Sequence, residues 1–229
     1  MTTPAIRPVL WSGHEWIDRI RPENAVFRDR AYVVAKRILD VVLVIAAAPL
    51  WVPVALLCAL AIKLDDPRAP VMFTQIRAGK GGRTIRMHKF RTMVPDAEGL
   101  KWELRHLNEL EWPDFKITDD PRITRPGRLL RTTSLDELPQ LWDVLVGRLS
   151  LVGPRPTDFM PDTYELWQTE RLDVKPGVTG LWQLYGRGLS LFDDRTRLDI
   201  AYVQRRCLWL DIQIIVRTIP AVLARRGAA

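Results

Sequence analysis

Val41-Val42-Leu43-Val44-Ile45-Ala46-Ala47-Ala48-Pro49-Leu50-Trp51-Val52-Pro53-Val54-Ala55-Leu56-Leu57-Cys58-Ala59-Leu60-Ala61-Ile62 is a run of 22 residues without a charge. As one α-helix it would reach about 33 Å, enough to cross the hydrocarbon core of a bilayer. Two features argue against a simple spanning helix. Pro49 and Pro53 fall near the middle, where each removes a helical hydrogen bond and frees the carbonyl four residues back, at Ile45 and Pro49. A bend is expected there. The flanks are also balanced: Arg28, Arg30, Lys36 and Arg37 precede the run, and Lys63, Arg68, Arg77 and Lys80 follow it. A spanning helix has unequal flanks, with the positive excess on the cytoplasmic side. The preferred reading is a re-entrant helix, broken at the prolines, with both ends on the cytoplasmic face. The length fits a buried helix of a soluble protein poorly. Asp40, at the entry of the run, is expected to pair with an arginine or lysine.

The run belongs to a chain of 229 residues, long enough for one sizeable core with appendages. There are 34 Lys and Arg against 27 Asp and Glu, a net charge of +7. Such a balance suits nucleic acid, an anionic membrane surface or phosphorylated substrates. The charges are interspersed and 47% of residues are apolar, which excludes a disordered basic tail. Cys58 and Cys207 lie in apolar surroundings without metal-ligand spacing, so neither a disulfide framework nor a zinc site is expected, and a reducing, cytosol-facing location fits. His14, His88 and His106 form no cluster. Residues 1–35 lack a signal-peptide layout and read as an amphipathic segment on a membrane surface or as a solvated leader.

The candidate chemistry lies at Thr132-Thr133-Ser134-Leu135-Asp136-Glu137-Leu138-Pro139-Gln140. Ser134 with Glu137 three residues on is a capping-box pattern, which would start a helix at Ser134. Pro139 would then be the fifth helical residue, an unfavourable place, whereas it is comfortable at a first helical position. In that second reading Asp136 and Glu137 sit on a turn ahead of the helix. Arg128 and Arg131 precede the pair, and Arg148 and Arg155 follow it. Two carboxylates able to hold a divalent cation, ringed by arginines, suit a phosphate and its metal.

Around these stretches the chain reads as mixed but mostly helical. Val71 to Phe90 is expected to form a β-hairpin turning at Ala78-Gly79-Lys80-Gly81-Gly82; the order of a Walker A loop is missing. Asp96 to Trp112 reads as a charge-laced helix, Arg122 to Arg131 as a basic loop and short helix, and Leu138 to Val146 as an apolar helix ended by Gly147. In Gly153-Pro154-Arg155-Pro156 two prolines lock the backbone around Arg155, so the side chain loses less entropy on clamping an anion. Residues 157–172 read as helical and acidic, Lys175 to Gln183 as a Gly/Pro-rich loop leading to Gly186-Arg187, and Arg197 to Leu223 as one long helix able to lie along an interface.

Seven blocks in order resemble the bacterial sugar transferases, the monotopic polyprenyl-phosphate phosphoglycosyl transferases. They are Lys36-Arg37 with Asp40, Lys89-Phe90-Arg91-Thr92-Met93, Asp120-Pro121-Arg122-Ile123-Thr124, the Ser134–Gln140 block, Ser150-Leu151-Val152-Gly153-Pro154-Arg155-Pro156, the Lys175–Gln183 block, and Arg197-Leu198-Asp199 with Tyr202. The resemblance runs from about Lys36 to the end, and Thr218-Ile219-Pro220-Ala221-Val222 is similar to the ending of ExoY-like exopolysaccharide initiators. The N-terminal membrane spans of larger members are not seen, so the chain resembles a catalytic-core form.

This resemblance implies a mostly helical α+β protein, monotopic in the membrane. An interfacial segment (1–35) would lead to a re-entrant membrane helix (36–64) and a cytosolic catalytic domain (65–229) with an interfacial C-terminal helix. It implies transfer of a phosphosugar from a UDP-sugar to undecaprenyl phosphate with release of UMP, at the cytoplasmic face of the bacterial inner membrane among its lipids. Asp136 would be the nucleophile and a Mg²⁺ ligand, with Glu137 assisting and sharing the metal. Lys89, Arg91, Arg155, Gln183, Arg187 and Asp199 would bind substrate. A homodimer is compatible with the sequence but not required by it. Three departures stand out: Ala48-Pro49 where the family has Ser-Pro, Arg148-Leu149 where it has an acid and Met, and Tyr185 where a small residue is common, a change that could bear on sugar choice. The rival readings are a glycosyltransferase releasing UDP and a non-catalytic membrane protein binding lipid or an assembly partner. A nucleic-acid binder would leave the 22 uncharged residues unexplained.

Overall fold

The apolar run forms two helices. In the computed structural model, which describes residues 16–17, 20, 23, 25–109, 117–157, 163–185 and 192–223, α1 spans Asp29–Ala46 and α2 spans Ala48–Asp65. The break falls at Ala47, whose N–H still reaches back to the Leu43 carbonyl. Pro49 lies in the first turn of α2, where its missing N–H would have had no helical partner. Pro53, by contrast, is inside α2 and does not end it. The Trp51 indole N–H donates to the Val44 carbonyl at 3.1 Å across the break. Α hydroxyl is absent at Ala48, and this indole occupies the equivalent role of satisfying a carbonyl near the proline. Ala48–Asp65 is long and apolar enough to cross a membrane, and only 11% of it is buried within the fold. A core helix of a soluble protein would be mostly covered.

The middle of α1 is tied to the rest of the chain by its charged residues. Arg37 donates to the Val144 and Leu145 carbonyls at 2.5 and 2.6 Å, capping the end of α5 (Gln140–Leu145). Lys36 lies 2.9 Å from Asp211, a buried carboxylate that also accepts from the Tyr32 and Tyr202 hydroxyls at 3.0 and 2.7 Å. Asp40 does not pair with arginine or lysine as expected. It accepts from the Ser150 hydroxyl at 2.7 Å and from the Leu151 N–H at 3.2 Å, because burial against strand β3 (Ser150–Val152) supplies donors there.

The hairpin forms as expected, β1 (Met72–Ala78) antiparallel to β2 (Thr84–Phe90), with Phe73 opposite Lys89. Its turn uses Gly81 and Gly82 at positive φ. Short helices α3 (Ala97–Glu103) and α4 (Arg125–Thr132) follow, the latter capped by the Thr124 hydroxyl accepting from the Gly127 N–H. The stretch from Lys175 differs from the expected loop: Gly177–Thr179 is strand β4, parallel to β3, and Leu181–Tyr185 is helix α6. Glycine explains the pairing. A Cβ on Gly177 would stand 2.1 Å from the Gly153 nitrogen, and one on Gly153 2.5 Å from the Lys175 carbonyl oxygen, so two of the quoted blocks meet backbone to backbone. The expected long terminal helix is two: α7 (Phe192–Arg205) and α8 (Leu208–Leu223). The architecture is thus mostly helical α+β.

Three apolar clusters hold these elements. Leu181, Leu198, Tyr202, Leu210 and Ile214 join α6, α7 and α8 over β3. Val44 of α1 packs with Met87, Val144 and Leu149, with Trp51 alongside. Cys58 and Ile62 of α2 pack with Phe90 and Leu130. The helix pair thus joins two of these apolar clusters and leaves Leu50, Leu56, Leu57, Leu60 and Leu64 exposed.

Candidate active site

Leu135-Asp136-Glu137 is a single 3₁₀ turn between α4 and α5. Ser134 takes a left-handed conformation (φ +57°) and caps nothing, so the capping box does not form. Α turn reverses the chain there, and α5 begins only after Pro139, the second of the two readings. Both carboxylates are thereby presented on the wall of a cavity of about 850 Å³.

Four elements bring cations to this turn. Lys89, from β2, donates to Glu137 Oε1 at 2.8 Å, and Arg155, from the loop after β3, donates to the same oxygen at 3.2 Å. Arg131, from the last turn of α4, is fixed by donating to the Thr92 hydroxyl at 2.9 Å. The Arg155 guanidinium stands 5.2 Å from the Trp182 ring of α6, and Arg195 of α7 stands 5.5 Å from the same ring. Around the whole cavity nine Lys and Arg face four Asp and Glu, so an anionic occupant is favoured.

The two acids respond differently. Burial disfavours the Glu137 charge, yet Arg155 and Lys89 outweigh it and hold the carboxyl at about 2. Asp136 is pushed above the usual carboxylate range by burial and by the Glu137 charge, against the pull of Lys89, Arg131 and Arg155. Burial, with the nearby Arg155 charge, lowers Arg77 to about 10 against the pull of Glu98. Asp136 and Oε2 of Glu137 make no hydrogen bond among the described residues.

The expected site residues divide into groups. Lys89, Arg155, Asp136 and Glu137 converge. Arg91 also lines the cavity but is buried and pairs with Asp66, at the end of α2, at 3.3 Å. Gln183 lies in the wall near Gly180. Asp199, 1% exposed, pairs with Arg171, and burial drives its carboxyl up to about 6. Arg187 lies outside the described residues. Arg131, named only as a neighbour of the pair, Arg171, Arg195 and Trp182 were not assigned from the sequence. Arg171 sits in the stretch 157–172 that reads as helical and acidic, and nothing local marks it as buried.

The departures also find places. Arg148 pairs at 3.0 Å with Asp143, a fully buried carboxylate that accepts from the His88 N–H and contacts His88 Nδ1, both at 2.8 Å. Tyr185 packs beside Trp16, ring centroids 6.2 Å apart, and is not among the described residues that line the cavity.

The resemblance stated from the quoted blocks is matched by direct comparison. The galactosyl transferase CpsE of Streptococcus agalactiae is 42% identical over 206 residues, covering 88% of this chain and 45% of that protein. A UDP-glucose:undecaprenyl-phosphate glucose-1-phosphate transferase of Caulobacter vibrioides is 41% identical over 204 residues, covering 84% and 71%. The exopolysaccharide production protein ExoY of Sinorhizobium fredii is 37% identical over 202 residues, covering 85% and 88%. The chain spans less than half the length of several relatives it matches. The family model for bacterial sugar transferases matches residues 31–225, a range that takes in all but the first two residues of α1, the acidic turn and every cation around it, and the chain belongs to that family.

Proposed function

We propose that this protein transfers a sugar 1-phosphate from a UDP-sugar to undecaprenyl phosphate, the first step of building an exopolysaccharide or other glycoconjugate. The observation that carries the reading is the acidic turn set in a strongly cationic cavity beside an exposed apolar helix pair. Anionic donor and anionic lipid repel one another, and a covalent step lets them react in turn.

In the first step the Asp136 carboxylate attacks the phosphorus nearest the sugar. A bond forms from Asp136 to that phosphorus, the bond to the bridging oxygen breaks, and UMP leaves. In the second, an oxygen of undecaprenyl phosphate attacks the same phosphorus, the acyl phosphate opens, and Asp136 returns as a carboxylate with the diphosphate lipid formed. The raised basicity of Asp136 favours it as nucleophile once ionised. Lys89, Arg131 and Arg155, whose charges act on Asp136, would offset negative charge on the transferring group.

Asp136 and Glu137 fit a Mg²⁺ ion, which takes one or two carboxylates and completes its shell with water and phosphate oxygens. The ion would neutralise diphosphate charge. Among the described residues no third His, Cys, Asp or Glu joins them, so substrate would complete the site.

The helix pair would enter the cytoplasmic leaflet and return, Ala47 being its turning point, with α8 along the surface; Trp209, Ile212, Val216 and Ile219 form an exposed stripe on α8. The test is intact-protein mass with Mg²⁺ and a panel of UDP-sugars. A phosphosugar adduct with UMP release, absent in Asp136→Asn, is expected. UDP release without an adduct would mean direct glycosyl transfer, and no nucleotide product even with undecaprenyl phosphate present would leave a binding protein.

A further inference from the structure

The loop that presents Arg155 is only partly fixed by its own sequence. Pro154 and Pro156 set their own φ angles but not the direction in which the Arg155 side chain leaves the loop. That direction depends on what holds the Arg155 peptide. The Gly177 N–H donates to the Pro154 carbonyl at 2.9 Å, and the Arg155 carbonyl is held by Arg171, 3% exposed, in the 3₁₀ stretch Leu166–Asp173. Its Nη2 donates to the Arg155 carbonyl at 2.7 Å and to Asp199 Oδ2 of α7. Its Nη1 donates to the Tyr164 hydroxyl at 3.1 Å and to the Thr157 hydroxyl at 3.3 Å. Tyr164 and Phe192 flank the guanidinium at 5.8 and 5.9 Å. One planar group therefore grips the loop on both sides of Pro156, at Arg155 and at Thr157, and joins it to α7.

We propose that Arg171 is a positioning residue: by holding the Arg155 carbonyl it places the Arg155 guanidinium over Glu137 and Trp182, where a nucleotide phosphate is met. Asp199 is then the counter-charge that keeps Arg171 in place, rather than only a ligand for substrate. Lysine cannot replace it, because a single ammonium lacks the fork that reaches carbonyl and carboxylate together. The inference rests on the reading of the cavity as a nucleotide site, and its test separates the two.

UMP affinity would be measured by calorimetry on the full chain in detergent, for the parent, Arg171→Met, Arg155→Met and the double variant, with the structure of Arg171→Met determined in parallel. Loss of one charge-assisted contact corresponds to weakening by about 10- to 100-fold. Arg171→Met is expected to weaken UMP about as much as Arg155→Met, and the double variant no further, since both remove the same contact. Should Arg171→Met fail to fold because Asp199 is left unpaired, Arg171→Met with Asp199→Asn removes both charges and serves instead. Losses that add, or unchanged affinity in a folded Arg171→Met, would overturn the proposal. A structure in which Arg155 still donates to Glu137 and lies over Trp182 would overturn it too. If the parent binds no UMP, the nucleotide reading falls, while the position of Arg155 in the variant still decides whether Arg171 sets it.

Discussion

Glu137 holds two cations that a diphosphate would also meet, which gives an unusual expectation for its removal. Lys89 and Arg155 reach the same oxygen, Oε1, at 2.8 and 3.2 Å. Α bound phosphate on the far side of those cations would stand about 6 Å from the carboxylate, where like unit charges repel by roughly 3 kcal/mol at an effective dielectric near 20. The Glu137 side chain is 21% exposed, and solvent lowers that figure towards about 1 kcal/mol. Glu137→Gln keeps the shape, removes the charge and frees both donors. UMP measured by calorimetry in a metal chelator should therefore bind about 5- to 150-fold more tightly than to the parent. Turnover with Mg²⁺ and UDP-sugar should nevertheless fall, because the glutamine is a poor metal ligand. Tighter nucleotide and slower chemistry together would show that Glu137 competes with phosphate in the resting site. Unchanged or weaker UMP binding by a folded Glu137→Gln protein would refute this account of the electrostatics.

Three other outcomes follow from the same structure. Glu137 titrates at about 2 against 4.5 unperturbed, so its contribution to stability is complete above about 4.5 and is lost as pH falls from 4.5 towards 2; chemical denaturation across that interval should show any stability advantage of the parent over Glu137→Gln shrinking, and an advantage that grew on acidification would contradict it. Trp51→Phe keeps the ring but leaves the Val44 carbonyl without its indole donor, at a cost of about 1–2 kcal/mol. Labelling of single cysteines placed at positions 30 and 70, in a background lacking Cys58 and Cys207, should report a larger fraction with the two sites on opposite faces, and identical labelling would remove Trp51 from the account. Gly177→Ala would drive a methyl to 2.1 Å from the Gly153 nitrogen, so thermal melting should drop by roughly 5–15 °C, whereas a change under 2 °C would mean the β3–β4 contact is not rigid.

What could be read from the sequence depended on whether the signal was local. The hairpin was legible because alternating strands flanked a glycine turn, and the acidic turn was legible as one of two alternatives because Pro139 conflicts with a helix from Ser134. The convergence of Lys89, Arg155, Asp136 and Glu137 followed from family resemblance, since 66 residues separate Lys89 from Arg155 and no periodicity links them. Three features were hidden. The parallel pairing of β3 with β4 depends on glycines that meet only in space. Lys36, Arg37 and Asp40 looked like charges flanking a membrane segment, yet each is occupied by a partner 105 or more residues away. Arg171 carried no local sign of burial because its acceptors come from residues 155, 157, 164 and 199.

Under the proposed function a lipid substrate and a soluble one meet in one cavity, and the contacts around it bear on how they could. The end of α2 is linked to the site through Asp66 and Arg91, one residue from Phe90 and two from Lys89. Lys89 and Arg155 meet on Glu137, and the Arg155 peptide is held by Arg171, which pairs with Asp199 on α7. On the other side Arg37, Lys36 and Asp40 bind α1 to α5, Asp211 and β3. Polar contacts thus run from the end of α2 into the wall of the cavity and from the middle of α1 to α5, α8 and β3, while the exposed leucines of α2 are left uncovered within the fold. An anchor joined to its domain by flexible linkers would let the cavity drift relative to the bilayer. Under the proposed function, the direct ties of α1 and α2 to the domain would hold Asp136 at one height above the bilayer, as transfer onto a phosphate at the membrane surface requires.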